Sequence, residues 1–197
     1  SSLNVVGQVN PSIDWSTSYD LDRINIKFQD IFNITPKTDR IILAVDTNPK
    51  GEVFVLTFGN GIKKVASNGT LEDFISGSYF TSPLDFAINS EGKFYVPDNA
   101  SNNRRINVFS PSGNFLPLET IGDGTYGTGK EKFKGPISVA FDPQDNLYVA
   151  DYYNGSDVTA TDKSRVKVYY KNGAFNEFNN VNGNPINSPY RIAADSN

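Results

Sequence analysis

Gly135-Pro136-Ile137-Ser138-Val139-Ala140-Phe141-Asp142, a turn through Pro143-Gln144-Asp145-Asn146, and then Leu147-Tyr148-Val149-Ala150-Asp151 form the stretch whose reading decides the fold. A polar loop follows. Arg165-Val166-Lys167-Val168-Tyr169 and Lys171-Asn172-Gly173-Ala174-Phe175 then complete the unit. Short runs rich in Val, Phe and Tyr, each bounded by Gly, Asn, Asp or Pro, read as strands joined by tight turns.

The unit recurs. Pro83-Leu84-Asp85-Phe86-Ala87-Ile88-Asn89 and Pro189-Tyr190-Arg191-Ile192-Ala193-Ala194-Asp195 repeat its opening, with the prolines spaced by 53 residues twice. An earlier copy, Ile41 to Asp46, lacks the proline and lies 43 residues before its counterpart. Second strands are expected at Val53 to Val55, Phe94 to Val96 and Leu147 to Val149. Third strands are expected at Ile62 to Val65, Ile106 to Phe109 and Val166 to Tyr169. The turns Asn68-Gly69-Thr70-Leu71, Ser112-Gly113-Asn114-Phe115 and Asn172-Gly173-Ala174-Phe175 each enter a fourth strand. Four strands in a period of roughly 40 to 50 residues predict an all-β protein built of β-propeller blades. Length differences fall in loops while the strands keep register, as stacked repeats require.

These residues resemble the NHL repeat. Pro136 to Asp142, Leu147 to Asp151, Asn154 and Arg165 to Val168 carry the resemblance most clearly, and Pro83 to Phe115 nearly as well. The Gly-rich run Gly122 to Phe133 is similar to the family's connector before the blade-opening proline. The resemblance implies an NHL-like propeller of six-bladed type, incomplete in this chain. Blades are expected over about 39–80, 81–133 and 134–186, with the first strand of another at 187–197. Residues 1–38 read as an N-terminal segment, either a degenerate blade echoing Asp22 to Phe28 or a strap around Trp15. An open array would leave unpaired edges. The remaining blades are therefore expected from the rest of a larger parent chain or from a second copy.

Composition narrows the chemistry. With no Cys and no His, thiolate nucleophiles, disulfides, a Ser-His-Asp triad and His-ligated metals are excluded. Net charge is −4 and no basic block occurs; Lys63-Lys64 and Arg104-Arg105 are isolated pairs, so nucleic acid is not an expected partner. No apolar run approaches the roughly 18 residues of a membrane-spanning helix. The chain opens Ser1-Ser2-Leu3 and contains no Met, which reads as loss of the initiator with some leader or longer region.

Asp98 with Arg105, and Asp151 with Arg165, sit at neighbouring strand ends and read as braces, with Thr57 and Gly61 replacing both partners in the first copy. Gly124 to Lys130 nearly spells a phosphate loop, but Glu131 stands where a Ser or Thr should ligate magnesium, so the run reads as a connector. The polar loop Asp151 to Asp162 offers oxygens to Ca²⁺ but lacks the EF-hand spacing and its closing Glu, and reads as a solvated loop on a propeller face. Tyr126, Tyr152 and Tyr153 are either packing residues or an aromatic contact surface. Asn-x-Ser/Thr matches at Asn33, Asn68, Asn99 and Asn154 permit glycosylation. No residue is assigned a catalytic, cofactor-binding or metal-ligating role.

The resemblance implies an extracellular or cell-surface setting, in bacterial proteins that are adhesin-like or cargo of a secretion system. The expected function is a non-enzymatic propeller that binds a protein or glycan through its loop faces. The alternative is a calcium-dependent lactonase or esterase, for which Asp85, Asn89 and Asp142 near the inner strands would be the candidates.

Overall fold

A computed structural model describes residues 41–152 and 164–195. The readings made on residues 1–38 and on Tyr153 to Asp162 lie outside the described residues. Three antiparallel sheets of four strands follow one another along the chain. The first blade holds β1 (Ile42–Thr47), β2 (Val53–Thr57), β3 (Gly61–Val65) and β4 (Leu71–Ile75). The second holds β5 (Ala87–Ile88), β6 (Phe94–Asp98), β7 (Arg104–Phe109) and β8 (Ile121–Gly124). The third holds β9 (Pro136–Phe141), β10 (Leu147–Asp151), β11 (Arg165–Tyr169) and β12 (Phe175–Phe178). Strand order equals chain order in every sheet, the meander of a β-propeller blade.

The first hairpin of each blade is set by one side chain. Asn48 Oδ1 accepts the N–H groups of Lys50 and Glu52, both at 3.0 Å. Asn89 Oδ1 does the same for Glu91 and Lys93, and Asp142 Oδ1 for Gln144 and Asn146. Such Asx turns hold the chain reversal by bonding the backbone two and four residues on. Each turn then needs a left-handed residue: Gly51 (φ 76°), Gly92 (φ 80°) and, in the third blade, Asp145 (φ 62°). Asp is among the few non-glycine residues that adopt this conformation, and here its carboxylate accepts from the Ser90 N–H (2.9 Å) and hydroxyl of the preceding blade.

Two expectations are corrected by the ladder. Thr47, Ile88 and Phe141 pair with Val53, Phe94 and Leu147, so the first inner strand lies 41 residues before its counterpart, rather than 43. The turn, not the apolar run, fixes the register. In the second blade the fourth strand starts at Ile121 instead of directly after the Ser112-Gly113 turn. Phe115 makes only an isolated bridge to Phe109, because Pro117 has no N–H to continue the ladder and opens a 3-10 turn over Pro117–Glu119. Beyond the third blade, Asn182 and Gly183 turn a small hairpin between β13 (Asn180–Val181) and β14 (Asn184–Pro185). Of residues 187–197, expected to hold the first strand of another blade, 187–195 are described and pair with no strand among the described residues, and the Ile192 N–H reaches the Ser138 hydroxyl of the third blade's inner strand.

Each core lies between blades. Phe54, Leu56, Ile62 and Ile75 of the first blade pack against Phe86, Phe94, Val96 and Phe109 of the second. Phe54 and Phe94 meet edge to face at 4.9 Å, a favoured aromatic geometry. Ala87 and Ile106 of the second blade, with Phe133, meet Val139, Leu147 and Val149 of the third. Alternate residues of each strand therefore face opposite blades, and no blade buries its apolar faces alone.

Candidate functional site

The inner edges of the blades are joined by polar side chains. Asp85, Ser138 and Arg191 occupy one position of the repeat, 53 residues apart, and they converge. Asp85 Oδ2 accepts from the Ser138 hydroxyl at 2.5 Å and from the Val139 N–H at 3.2 Å. Its Oδ1 pairs with the Arg191 guanidinium at 2.9 Å. Ser138 Oγ accepts the Ile192 N–H, and Arg191 donates a second bond to the Leu43 carbonyl of the first blade at 3.0 Å. Asp46 accepts from the Ile88 N–H in the same manner, and burial pushes its carboxyl above the usual range.

Of the three oxygen residues singled out for a hydrolytic centre, only Asp85 reaches this cluster. Asn89 and Asp142 hold the hairpin turns at the far end of the inner strands. Partial burial acts to raise the Asp142 carboxyl, but bonds from Asn146, Tyr148 and the Gln144 N–H hold it below its ordinary value. A cleft of about 300 Å³ opens at this end, with Asp142, Asp145, Ser90 and Asp195 on its walls. Among the described residues no group of three His, Cys, Asp or Glu side chains is placed to hold a metal ion. Ser138 and Arg191 were missed by sequence reasoning. The signal was there, in three polar residues at one repeat position of an otherwise apolar strand.

The braces lie at the opposite rim. Asp151 is fully buried and accepts the Lys134 and Gly135 N–H groups and Arg165 Nε, each at 2.8 Å. Burial pushes its carboxyl up, against the opposing pull of the Gly135 N–H and of Arg165 and Lys167. Asp98 accepts the equivalent N–H groups of Thr81 (2.8 Å) and Ser82 (2.9 Å). The expected pairing of Asp98 with Arg105 is not made. The two face each other across the ladder, yet Asn103 Nδ2 takes the carboxylate oxygen that Arg165 takes in the third blade. In the first blade, Thr57 Oγ1 simply donates to the Gly61 carbonyl, and a cleft of about 170 Å³ remains beside these two residues.

The Gly-rich run, expected as a connector over Gly122 to Phe133, begins inside β8 (Ile121–Gly124); from Thr125 onward it is a connector, clamped from the third blade. Arg165 donates to the Gly127 carbonyl at 2.5 Å and the Tyr169 hydroxyl to that of Lys130 at 2.7 Å. Lys167, wholly buried, donates to the carbonyls of Gly129 and Lys132 and lies 4.5 Å from the centre of the Phe133 ring. Burial, with the nearby Arg165 charge, lowers the Lys167 ammonium to about 8. A run that turns its carbonyls toward cations in this way is the reverse of a phosphate cradle.

The tyrosines divide. Tyr152 and Tyr190 form a ring pair at 5.3 Å, whereas Tyr126 lies under the Arg104 guanidinium at 5.4 Å. Of the basic pairs, Lys63 bonds Asp73 and Lys64 bonds Glu52 at 2.6 Å.

No family model matches the chain, and no curated protein matches it. Solved structures do. The chain is similar to virginiamycin B lyase from Staphylococcus aureus at 18% identity and a TM-score of 0.51, over 82% of this chain and 48% of that one. It is similar to the WD40 repeats of RRP9 at 16% identity and 0.53, over 83% and 44%. It is also similar to a putative gluconolactonase at 15% identity and 0.51, over 77% and 55%. The chain thus spans about half the length of these structures. Likeness at this level shows the β-propeller fold, and proteins with such different names share it.

Proposed function

We propose that this chain is a non-enzymatic propeller scaffold, NHL-like and belonging to a six-bladed ring, that binds a protein or glycan partner through its loop faces. One observation carries the reading. The carboxylates on which a hydrolytic centre would draw are committed to holding strands together. Asp85 is tied to Ser138, Val139 and Arg191, Asp142 to its own hairpin, and Asp98 and Asp151 to the backbone that opens each blade. A general base or cation ligand needs a lone pair aimed at substrate or metal, and these lone pairs are aimed at N–H and O–H donors of the protein. The repeats differ in length in their loops, where scaffold proteins place recognition. The texture of the repeat favours a secreted or cell-surface parent, adhesin-like or secreted cargo, with the remaining blades drawn from that parent or from a second copy.

The test sets two assays side by side on the purified chain. One is a glycan array with a panel of purified extracellular-matrix proteins; the other is lactone and aryl-ester hydrolysis with and without added Ca²⁺. Saturable binding in the first and a flat second assay is the expected result. Calcium-dependent turnover that Asp85→Asn removes would overturn the scaffold reading in favour of a lactonase-like hydrolase.

A further inference from the structure

The hairpin of β13 and β14 stands apart from the blades. Its two pairs, Asn180 with Pro185 and Val181 with Asn184, join no four-stranded sheet, and residues 180–185 are all exposed. An isolated two-stranded hairpin is marginally stable at best in water. Its loop is Asn182-Gly183, with φ of 51° and 81°, a two-residue turn with left-handed backbone at both positions. Neither the Asn182 amide nor the Gly183 N–H has a hydrogen-bond partner among the described residues.

Among the described residues the same dipeptide recurs at Asn60, Asn68 and Asn172, each time under restraint. Between β3 and β4, Asn68 Oδ1 accepts the Thr70 N–H at 3.0 Å and the Thr70 hydroxyl at 2.7 Å, while the Gly69 N–H donates to the Ala66 carbonyl at 2.8 Å. Between β11 and β12, Asn172 Oδ1 accepts the Ala174 N–H at 3.0 Å, and the Gly173 N–H donates to the Tyr170 carbonyl at 2.9 Å. Gly61, which follows Asn60, opens β3 and is buried against the Ile75 carbonyl. All three sit within a full blade, so freeing them breaks bonds of a four-stranded sheet, whereas the β13–β14 hairpin opens by itself.

An asparagine amide followed by glycine is open to attack by the next backbone nitrogen, because glycine has no Cβ to hinder the approach. We propose that Asn182 is a site of spontaneous deamidation, and that it converts ahead of Asn60, Asn68 and Asn172. When the hairpin opens, the Gly183 nitrogen, its proton lost to solvent base, bonds to Asn182 Cγ. The Cγ–Nδ2 bond breaks, and the nitrogen leaves as ammonia with a proton from water. The cyclic imide so formed takes up one water at either carbonyl, giving aspartate or its β-linked isomer. One water enters, one ammonia leaves, and nothing is oxidised or reduced. The product carries a new negative charge at the hairpin tip. In the β-linked isomer the backbone gains a methylene, so the two-residue loop no longer sets Val181 opposite Asn184. The conversion needs no partner and does not rest on the scaffold reading.

The experiment holds the whole chain in mildly alkaline buffer and follows each asparagine by peptide mapping, with fragmentation that separates aspartate from its β-linked isomer. Asn182 is expected to convert at least about tenfold faster than Asn60, Asn68 or Asn172, the difference in opening between a free hairpin and a blade turn. In guanidinium chloride, where every turn is open, the four rates are expected to converge. Equal rates in the folded chain, or an intact Asn182 while another of the three converts, overturns the proposal. A lead for Asn182 that persists undiminished in denaturant overturns the part given to the hairpin, since the neighbouring sequence would then set the rate.

Discussion

The second and third blades run the same ladder, yet only the third locks the connector that crosses it. Asp151, Arg165 and Lys167 close a network around the Gly-rich run, whereas Asp98, Arg105 and Asn107 stand at the same positions and leave donors open. Lys167 is longer than Asn107 and carries charge, and the connector it meets is longer and bent by glycines, so its carbonyls come within reach. The lesson concerns matching. A brace forms where side-chain reach and connector path suit each other, and an equivalent Asp and Arg across a ladder are not enough.

The largest expected effect breaks the third blade. Asp151→Ala removes the acceptor of two N–H groups and leaves the buried Arg165 charge only the Glu177 carboxylate at 3.6 Å, which should cost about 3–5 kcal/mol in urea unfolding. Asp98→Ala, with no paired arginine, should cost about 1–3 kcal/mol. Equal losses would show that the Arg165 pair adds nothing. Next comes the first blade, where Gly61 (φ 79°) would place a Cβ 2.1 Å from the Ile75 carbonyl oxygen. Gly61→Ala should lose more than about 2 kcal/mol, against about 1 kcal/mol for Gly173→Ala, whose Cβ meets open space.

A smaller effect separates the blades by pH. Lys167 holds its proton less tightly folded, at about 8, than unfolded, at 10.5. Between those values the unfolded chain binds more protons, so this group makes stability rise with pH, by about 1–2 kcal/mol from pH 8 to 10. Below pH 8 both states are protonated and its contribution is flat. Tyr169, whose burial raises its hydroxyl, acts oppositely once unfolded tyrosine ionises near 10, which closes the window. Melting curves of Lys167→Met should lack the rise; a rise that persists in the variant would assign it to another group. The smallest effect is at Asn107, where Asn107→Leu removes two unsatisfied atoms and should leave the melting temperature unchanged or raise it slightly. A large loss there would show that the amide is already partnered in solution.

Much of this was legible in the chain. Gly135 to Phe175 gave four strands, their turns and their recurrence, because strand alternation and Asx or glycine turns are local properties. The Asp151–Arg165 pair followed from the same local logic, as did the connector reading of Gly122 to Phe133 from Thr125 onward; Gly122 to Gly124 belong instead to β8. The two-residue slip at Ile41 to Asp46 arose because a run of Ile, Leu, Ala and Val matches its counterpart equally well in more than one register. Only the Asn48 turn, seen in the ladder, settles it.

By itself, then, the sequence determined the blades: their strands, their order and the positions at which polar residues recur. The tertiary structure alone decided which of those polar residues meet. Asp85, Ser138 and Arg191 are far apart in the chain and adjacent at the inner edges, while Asp98 and Arg105 are neighbours in the ladder and unpaired. The reason is physical. Backbone ladders obey a short-range period, whereas a side-chain bond of about 3 Å depends on how neighbouring blades and loops of unequal length are finally packed.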